Sequence, residues 1–359
     1  MSEWKMVKIG EICEQINGVS YKPADVYDSL TENATVLLRA NNIFEDKLNY
    51  DELVFVDKKR VSKNQYMKKG DILICASSGS KHLVGKAACL TEDKELTFGA
   101  FCKVLRPKTI NPEYIKHYFF SPFYRTEISR LSEGANINNI KAADLENLTI
   151  PLPTESEQNR IAKQLDKCIT IINKQKRALE KYDLLIKSRF IEMFGDPIEN
   201  TKSWIEEPLG NCCLLKAGKA IKASELADKD KEHPYPCFGG NGIRGFISKK
   251  SHTGKIVLIG RQGALCGNVQ LTDGDFYATE HAVVTSPKKE LNSIWLYHLL
   301  FLMDLNRYKS GAAQPGLTVE KLNTVPTMIV PIELQNDFAA FVQQIDKSKF
   351  EYTNIGVAA

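Results

Sequence analysis

The stretch TESEQNRIAKQLDKCITIINKQKRALEKYDLLIKSRFIEMFG, residues 154–195, decides how the rest of the chain is organised. It reads as one long helix. Thr154-x-x-Glu157 forms a capping box, in which the hydroxyl takes the amide three residues on and the carboxylate reaches back. Pro151 and Pro153 block a helix arriving from upstream. Gly195, followed by Asp196-Pro197, ends it, because Gly tolerates a left-handed terminal residue and Pro cannot continue the helix. Between these signals there is neither Gly nor Pro. Ile161, Leu165, Cys168, Ile172, Gln175, Leu179, Tyr182, Ile186, Arg189 and Met193 recur at alternating helical spacings, which is a heptad seam. At about 1.5 Å per residue such a helix is roughly 60 Å long. That is too long for the interior of one small domain, and it predicts a strut whose seam takes a partner helix.

The chain on either side of the helix repeats itself. Trp4, Gly10 and Cys13 are echoed at identical spacing by Trp204, Gly210 and Cys213. Gly70 leading into Ile72-Leu73-Ile74-Cys75 matches Gly254 leading into Ile256-Val257-Leu258-Ile259, and each run passes into a polar loop. A further strand follows in each half, Phe101–Leu105 and His281–Val284. Then comes a short helix, Pro112–Phe120 and Ser293–Leu302, and a Gly-Ala loop at Gly134-Ala135 and Gly311-Ala312. Proline-bounded strands near 148–153 and 328–331 close the two halves. After the second, Glu333-Leu334-Gln335-Asn336 restarts a helix whose seam holds Phe338, Val342 and Ile345. Repeats are established before a fold is assigned. The order here predicts an α+β chain with a pseudo-twofold repeat: a domain over 1–153, the helix over 154–195, a second domain over 196–332 and a second, shortened helix over 333–359.

Composition narrows the class. The chain has 359 residues, which allows two or three domains. It is 43% hydrophobic and 26% charged, as a water-soluble globular chain is. No apolar run approaches the roughly 18 residues of a membrane span. MSEWKMVKIGEICEQ has no apolar signal core, so a cytoplasmic location is expected. The nine cysteines are scattered without a CxxC pair, which points to free, buried thiols and no metal site. The net charge of +4 is compatible with nucleic acid without requiring it.

The sequence contains no GxxxxGK[ST] phosphate loop, no HExxH pair and no Asn/Asp-Pro-Pro-aromatic motif. What it does contain is a set of polar loops, twice over. In the first half the candidates for DNA contact are Arg39, Asn41, Asn42, Ser77, Ser78, Lys81, His82, Asn136, Asn138 and Lys141. In the second they are Lys219, Lys222, Asn241, Arg261, Gln262 and Gln314. Arg, Asn and Gln present the donor and acceptor pairs that match base edges, and Lys and Ser contact phosphates. Asn, Gly and Ser also dominate turns for backbone reasons, so no single loop decides the matter. The duplication favours a split target. A duplicated β-rich scaffold that binds protein or carbohydrate is the alternative.

These residues bring the chain close to a known family. Phe194-Gly195-Asp196-Pro197 with Asn200 and Trp204, the run Tyr235–Gly242, Ile256–Gly263, Ser310–Leu322 and Glu157-Gln158-Asn159-Arg160-Ile161 together resemble the DNA-specificity (S) subunits of type I restriction–modification systems. The resemblance implies two target-recognition domains held apart by antiparallel helices, each reading one half of a bipartite sequence in double-stranded DNA. It implies that the helices set the spacer and dock methyltransferase subunits, and that restriction subunits join the assembly. It further implies a chain that is not itself a catalyst. S-adenosylmethionine, ATP and Mg would then sit on the partner subunits. The departure lies in the second helix, which is shorter than the pattern requires. The expected seam comprises Ile161, Leu165, Ile172, Leu179, Tyr182, Ile186 and Met193, facing Phe338, Val342 and Ile345. With a short partner, Leu179, Tyr182, Ile186 and Met193 are expected to lie uncovered, available to a second copy in a homodimer.

Overall fold

The structure is a computed structural model and describes residues 4–80, 83–133, 139–263, 265–310 and 316–355. The chain divides into two compact units, Met1–Thr170 and Ile171–Ala359. The long helix runs Glu155–Phe194 and contributes its first part to one unit and its remainder to the other.

In the first unit an antiparallel sheet is ordered Cys13–Asn17, Cys102–Pro107, Ile72–Cys75, Ala87–Cys89. A second sheet pairs Leu96–Phe98 in parallel with Ala34–Leu38, which pairs antiparallel with Val54–Asp57. The second unit repeats this. One sheet is ordered Cys213–Ala217, Ala282–Pro287, Val257–Gly260, Val269–Leu271. The other pairs Asp275–Ala278 in parallel with Tyr235–Gly239, which pairs antiparallel with Gly242–Ile247. Ile72, Leu73, Ile74 and Cys75 are all buried, as are Val257, Leu258, Ile259 and Gly260. These strands are covered on both faces, which is why they read as unbroken apolar runs and not as alternating ones. The opening segment Lys5–Lys8 pairs with Thr149–Leu152, and Glu206–Pro208 pairs with Pro326–Met328. The echo of Trp4 in Trp204 is thus the start of one structural unit used twice.

The helix ends behave as their residues dictate. The Thr154 amide donates to Glu157 Oε2 (3.1 Å) and the Glu157 amide to Thr154 Oγ1 (3.4 Å), completing the capping box. At the other end Gly195 has φ +82° and its amide donates to Ile191 O (2.8 Å). Trp204 Nε1 donates to Phe194 O (2.9 Å), satisfying a terminal carbonyl of the helix.

Each unit locks a long helix to its short one with the same three bonds. Gln158 Oε1 accepts the Asn111 amide (2.9 Å), Gln158 Nε2 donates to Pro153 O (2.9 Å), and Asn111 Nδ2 donates to Asn159 Oδ1 (2.7 Å). In the second unit Gln335 Oε1 accepts the Asn292 amide (2.9 Å), Gln335 Nε2 donates to Val330 O (2.8 Å), and Asn292 Nδ2 donates to Asn336 Oδ1 (2.8 Å). Both glutamines are buried. Gln335 is therefore the counterpart of Gln158, and the motif shared by the two helix starts is Gln-Asn.

The units differ in what covers their helices. In the second, the helix Ile332–Ile355 packs against the closing part of the long helix. Phe338 meets Phe190 edge-on (5.3 Å between centroids), and Lys349 Nζ bonds Asp183 Oδ1 (2.7 Å). Residue numbers rise on one helix as they fall on the other, so the pair is antiparallel. Ile186 is 4% exposed, and Met193 packs on the same core. The seam expected to be uncovered at Leu179, Tyr182, Ile186 and Met193 is corrected here: Ile186 and Met193 are taken up by the second unit's core, and Leu179 and Tyr182 are half-buried. Of the seam positions, Leu165 and Ile172, earlier on the helix, are the exposed ones; Ile169, Ile171, Leu184 and Leu185 are exposed outside the seam. The reason is direction, since a short antiparallel partner starting near Gly195 covers the end of the long helix before its beginning.

Eight of the nine cysteines are buried and all are free; Cys168 is exposed on the long helix. Among the described residues no helix is long and apolar enough to cross a membrane, and no acidic, His or Cys cluster could hold a metal.

Candidate nucleic-acid interface

Where the two sheets of each unit meet, one backbone frame is built twice. In the first unit the Gly99 amide donates to Leu38 O (2.9 Å), the Val19 amide to Phe98 O (2.7 Å), and the Ala76 and Ser77 amides to Phe101 O (both 3.0 Å). In the second the Thr279 amide donates to Phe238 O (2.9 Å), the Lys219 amide to Ala278 O (3.1 Å), and the Arg261 amide to His281 O (3.1 Å). The frame demands Gly at one point in each copy. A Cβ on Gly18 would stand 2.1 Å from Gly99 O, and one on Gly218 would stand 2.1 Å from Ala278 O, so only hydrogen fits.

This frame gathers loops that are remote in sequence around an open cleft. The first cleft, about 760 Å³, is lined by Tyr21, Arg39, Asn41, Ser77, Ser78 and Phe101. The second, about 540 Å³, is lined by Asn241, Ile243, Arg244, Gln262 and His281. The last loop of each half joins them. Asn139 bridges Ser77, and the Ile140 amide donates to Ala76 O (2.7 Å); Gly316 bridges Gln262, and the Leu317 amide donates to Arg261 O (2.9 Å).

The sequence candidates fall into three groups. Arg39, Asn41, Ser77 and Ser78 line the first cleft, and Asn241 and Gln262 the second. Arg261 stands beside Gln262, its Nε buried without a hydrogen bond. Lys219 is exposed and held by its backbone bond to Ala278, while Lys141 and Lys222 are exposed caps of short helical turns, their amides bonded to Asp144 and Glu225. Asn42 is a correction. It is fully buried, accepts the Arg39 amide (2.8 Å) and donates to Asn49 O and Asp51 O (3.0 and 2.9 Å), so it holds the loop's shape and offers nothing to a base. Lys81, His82, Asn136, Asn138 and Gln314 lie outside the described residues.

Sequence reasoning missed Tyr21, Phe101, Arg244 and His281 as cleft residues. The repeat held the signal for two of them, since Phe101 and His281 open matching strands. Arg244 lies across Gly239, where a Cβ would stand 2.5 Å from Arg244 Cδ. Asn268 Nδ2 donates to Asn241 Oδ1 (3.0 Å), and His281 Nε2 lies 3.2 Å from Glu280 Oε1. Asp275 is taken up by Lys250 and Thr253. At the base of the first cleft, burial pushes the Cys102 thiol up to about 12, which keeps it neutral and unreactive.

Two similar clefts lined with Arg, Asn, Gln and Ser are carried on a duplicated α+β scaffold. The sequence matches the type I restriction modification DNA specificity domain over residues 1–181 and 201–357, and the chain belongs to that family. It is 50% identical over 139 residues to the type I restriction enzyme EcoprrI specificity subunit of Escherichia coli, covering 38% of this chain and 35% of that one. It is 42% identical over 185 residues to the StySPI specificity subunit of Salmonella potsdam, covering 51% and 40%. These matches span well under half the length of the curated relatives. The fold is that of the type I restriction–modification S subunit from M. genitalium, with TM-score 0.62 at 17% identity over 99% of this chain and 92% of that one.

Proposed function

We propose that this chain is the DNA-specificity subunit of a type I restriction–modification complex, each cleft reading one half of a bipartite double-stranded target. The observation that carries this reading is one backbone frame presenting two different sets of polar side chains. A shared frame suits a shared duplex geometry, and differing side chains suit different bases. Exposed Lys219 and Lys222 would neutralise phosphates in the second unit and Lys141 in the first, in a salt-dependent way. Arg39 and Asn41, and Arg244 and Gln262, would then meet base edges, each good bidentate pair being worth about 1–3 kcal/mol of discrimination. In this reading the chain is not a catalyst and binds no cofactor. Methyltransferase subunits carrying S-adenosylmethionine dock on the helices, and restriction subunits supply the chemistry that uses ATP and Mg.

The test is selection from random-sequence duplex DNA by the full chain, co-expressed with a methyltransferase subunit encoded beside it. Two conserved blocks at a fixed gap are expected. Replacing Arg39 and Asn41 by Ala should relax one block and leave the other intact. Simultaneous loss of both blocks would defeat the two-module reading, and recovery of no sequence at all would defeat DNA recognition.

A further inference from the structure

We propose that Phe101 is a specificity-determining residue of the first cleft, its ring meeting the 5-methyl group of a thymine and so reading that base against cytosine. The proposal rests on the DNA-recognition reading and deepens it.

The argument begins with the turn that carries the ring. The Cys102 amide donates to Gly99 O (2.8 Å) and the Ala282 amide to Thr279 O (3.0 Å), so Gly99–Cys102 and Thr279–Ala282 are the same turn in the two units. Both turns are tied to the neighbouring strands by the bonds at Leu38 O or Phe238 O and at the Phe101 or His281 carbonyl. Phe101 and His281 therefore occupy one position of one frame, at the edge of equivalent clefts. The backbone is held by hydrogen bonds on both sides of each, and Phe101 points its ring into solvent.

The two rings have opposite chemistry. His281 is polar and lies within reach of a carboxylate, Glu280 Oε1 at 3.2 Å. In the first unit the residue before the ring is Ala100, and Phe101 is 72% exposed. Its neighbours around the cleft, Arg39, Asn41, Ser77 and Ser78, are the polar groups suited to base edges and phosphates. An apolar ring held in water among such groups gains most simply by covering an apolar feature on the ligand. In the major groove that feature is the thymine methyl; the other three bases present only donors and acceptors there.

The experiment uses the full chain with its co-expressed methyltransferase subunit and the duplex recovered by selection. Each thymine of the first half-site is replaced in turn by deoxyuridine, which removes the methyl group and nothing else. One such replacement is expected to weaken binding of the unaltered protein by about fourfold, the worth of one buried methyl group. Phe101→Ala should bind the thymine and deoxyuridine duplexes equally, and Phe101→His should shift base preference in the first half-site alone. Unchanged preference in the second half-site reports that each variant is folded. If no thymine in the first half-site responds, or if Phe101→Ala keeps the response, the proposal is overturned while DNA recognition stands. If the unaltered protein selects no sequence, the underlying reading fails instead.

Discussion

Leu165 and Val342 hold the same place in two copies of one fold, yet Leu165 is 39% exposed and Val342 is 3% exposed. Each lies two turns along the helix from the Gln of its lock, on the face that carries the seam. The difference is cover. In the second unit Ile186, Phe190 and Phe194 of the closing part of the long helix complete the core around Phe338, Ala339 and Val342. In the first unit the matching positions are Ile161, Ala162 and Leu165, of which Ala162 alone is buried. One repeat thus carries a helix wall that the other lacks. The sharpest way to break this comparison is at its centre. Phe338→Ala should cost about 3–5 kcal/mol, because the ring is fully buried against three aromatic neighbours. Ile161→Ala, at the half-buried counterpart, should cost less than half as much. Equal losses in urea unfolding would mean that Ile161 has a cover equivalent to that of Phe338.

The same asymmetry acts on a histidine pair. His298 packs its ring edge-on against Phe338 (5.4 Å), and burial takes its imidazole down to about 4, with Lys349 adding to the shift and Asp183 opposing it. His117, its counterpart, is also lowered by burial, but Asp166 at 3.1 Å from Nε2 pulls it back. A histidine with a depressed folded value stays neutral while the unfolded chain takes up a proton. Its stabilising effect is complete above the unfolded value of 6.5 and is lost as pH falls from there toward 4. The expected loss is on the order of 3 kcal/mol. His298→Phe should flatten the stability profile between pH 6.5 and 4, whereas His117→Phe should change it less. An identical response to the two substitutions would remove the electrostatic difference between the units.

The locks are where the two units should agree. Gln158→Ala and Gln335→Ala each leave a part-buried amide and a buried carbonyl without a partner, a loss of about 2 kcal/mol. Thermal unfolding of the two variants should fall by similar amounts. A large inequality would show that the shared bonds do not do the same job in the two settings.

How much of this was legible beforehand follows the range of the interactions involved. The long helix was, because its capping box, its lack of Gly and Pro, and its FGDP end are local signals, and the observed span Glu155–Phe194 differs by a residue at each end. So was the repeat, because Trp, Gly and Cys keep register. The parallel pairing of Leu96–Phe98 with Ala34–Leu38 was not, since no local pattern announces which distant strand a short run will join. In the cleft, residue type alone could not separate Asn41, which faces outward, from Asn42, which is wholly buried one position on. Phe101 was hidden for the opposite reason. An apolar residue opening a strand reads as core, and only the clamped turn turns it out.

The smallest expected effect is also the one that bears most directly on the missing wall. Leu165→Ser in the free chain should change stability by no more than about 0.5 kcal/mol, as surface substitutions do. Val342→Ser should cost several times that, since it places a hydroxyl in a closed apolar core and leaves a cavity. The pair of measurements is informative because the two positions stand at the same register from the same lock on equivalent helices, and differ chiefly in cover. If Leu165→Ser were as costly as Val342→Ser, the first unit's helix face would already be covered in solution, and the two repeats would be alike where the structure makes them different. If it is silent in the free chain, repeating the measurement with a methyltransferase subunit present asks whether that helix face is a seat that assembly fills. A cost that then rises toward that of Val342→Ser would place a partner's apolar side chains where Ile186, Phe190 and Phe194 stand in the second unit.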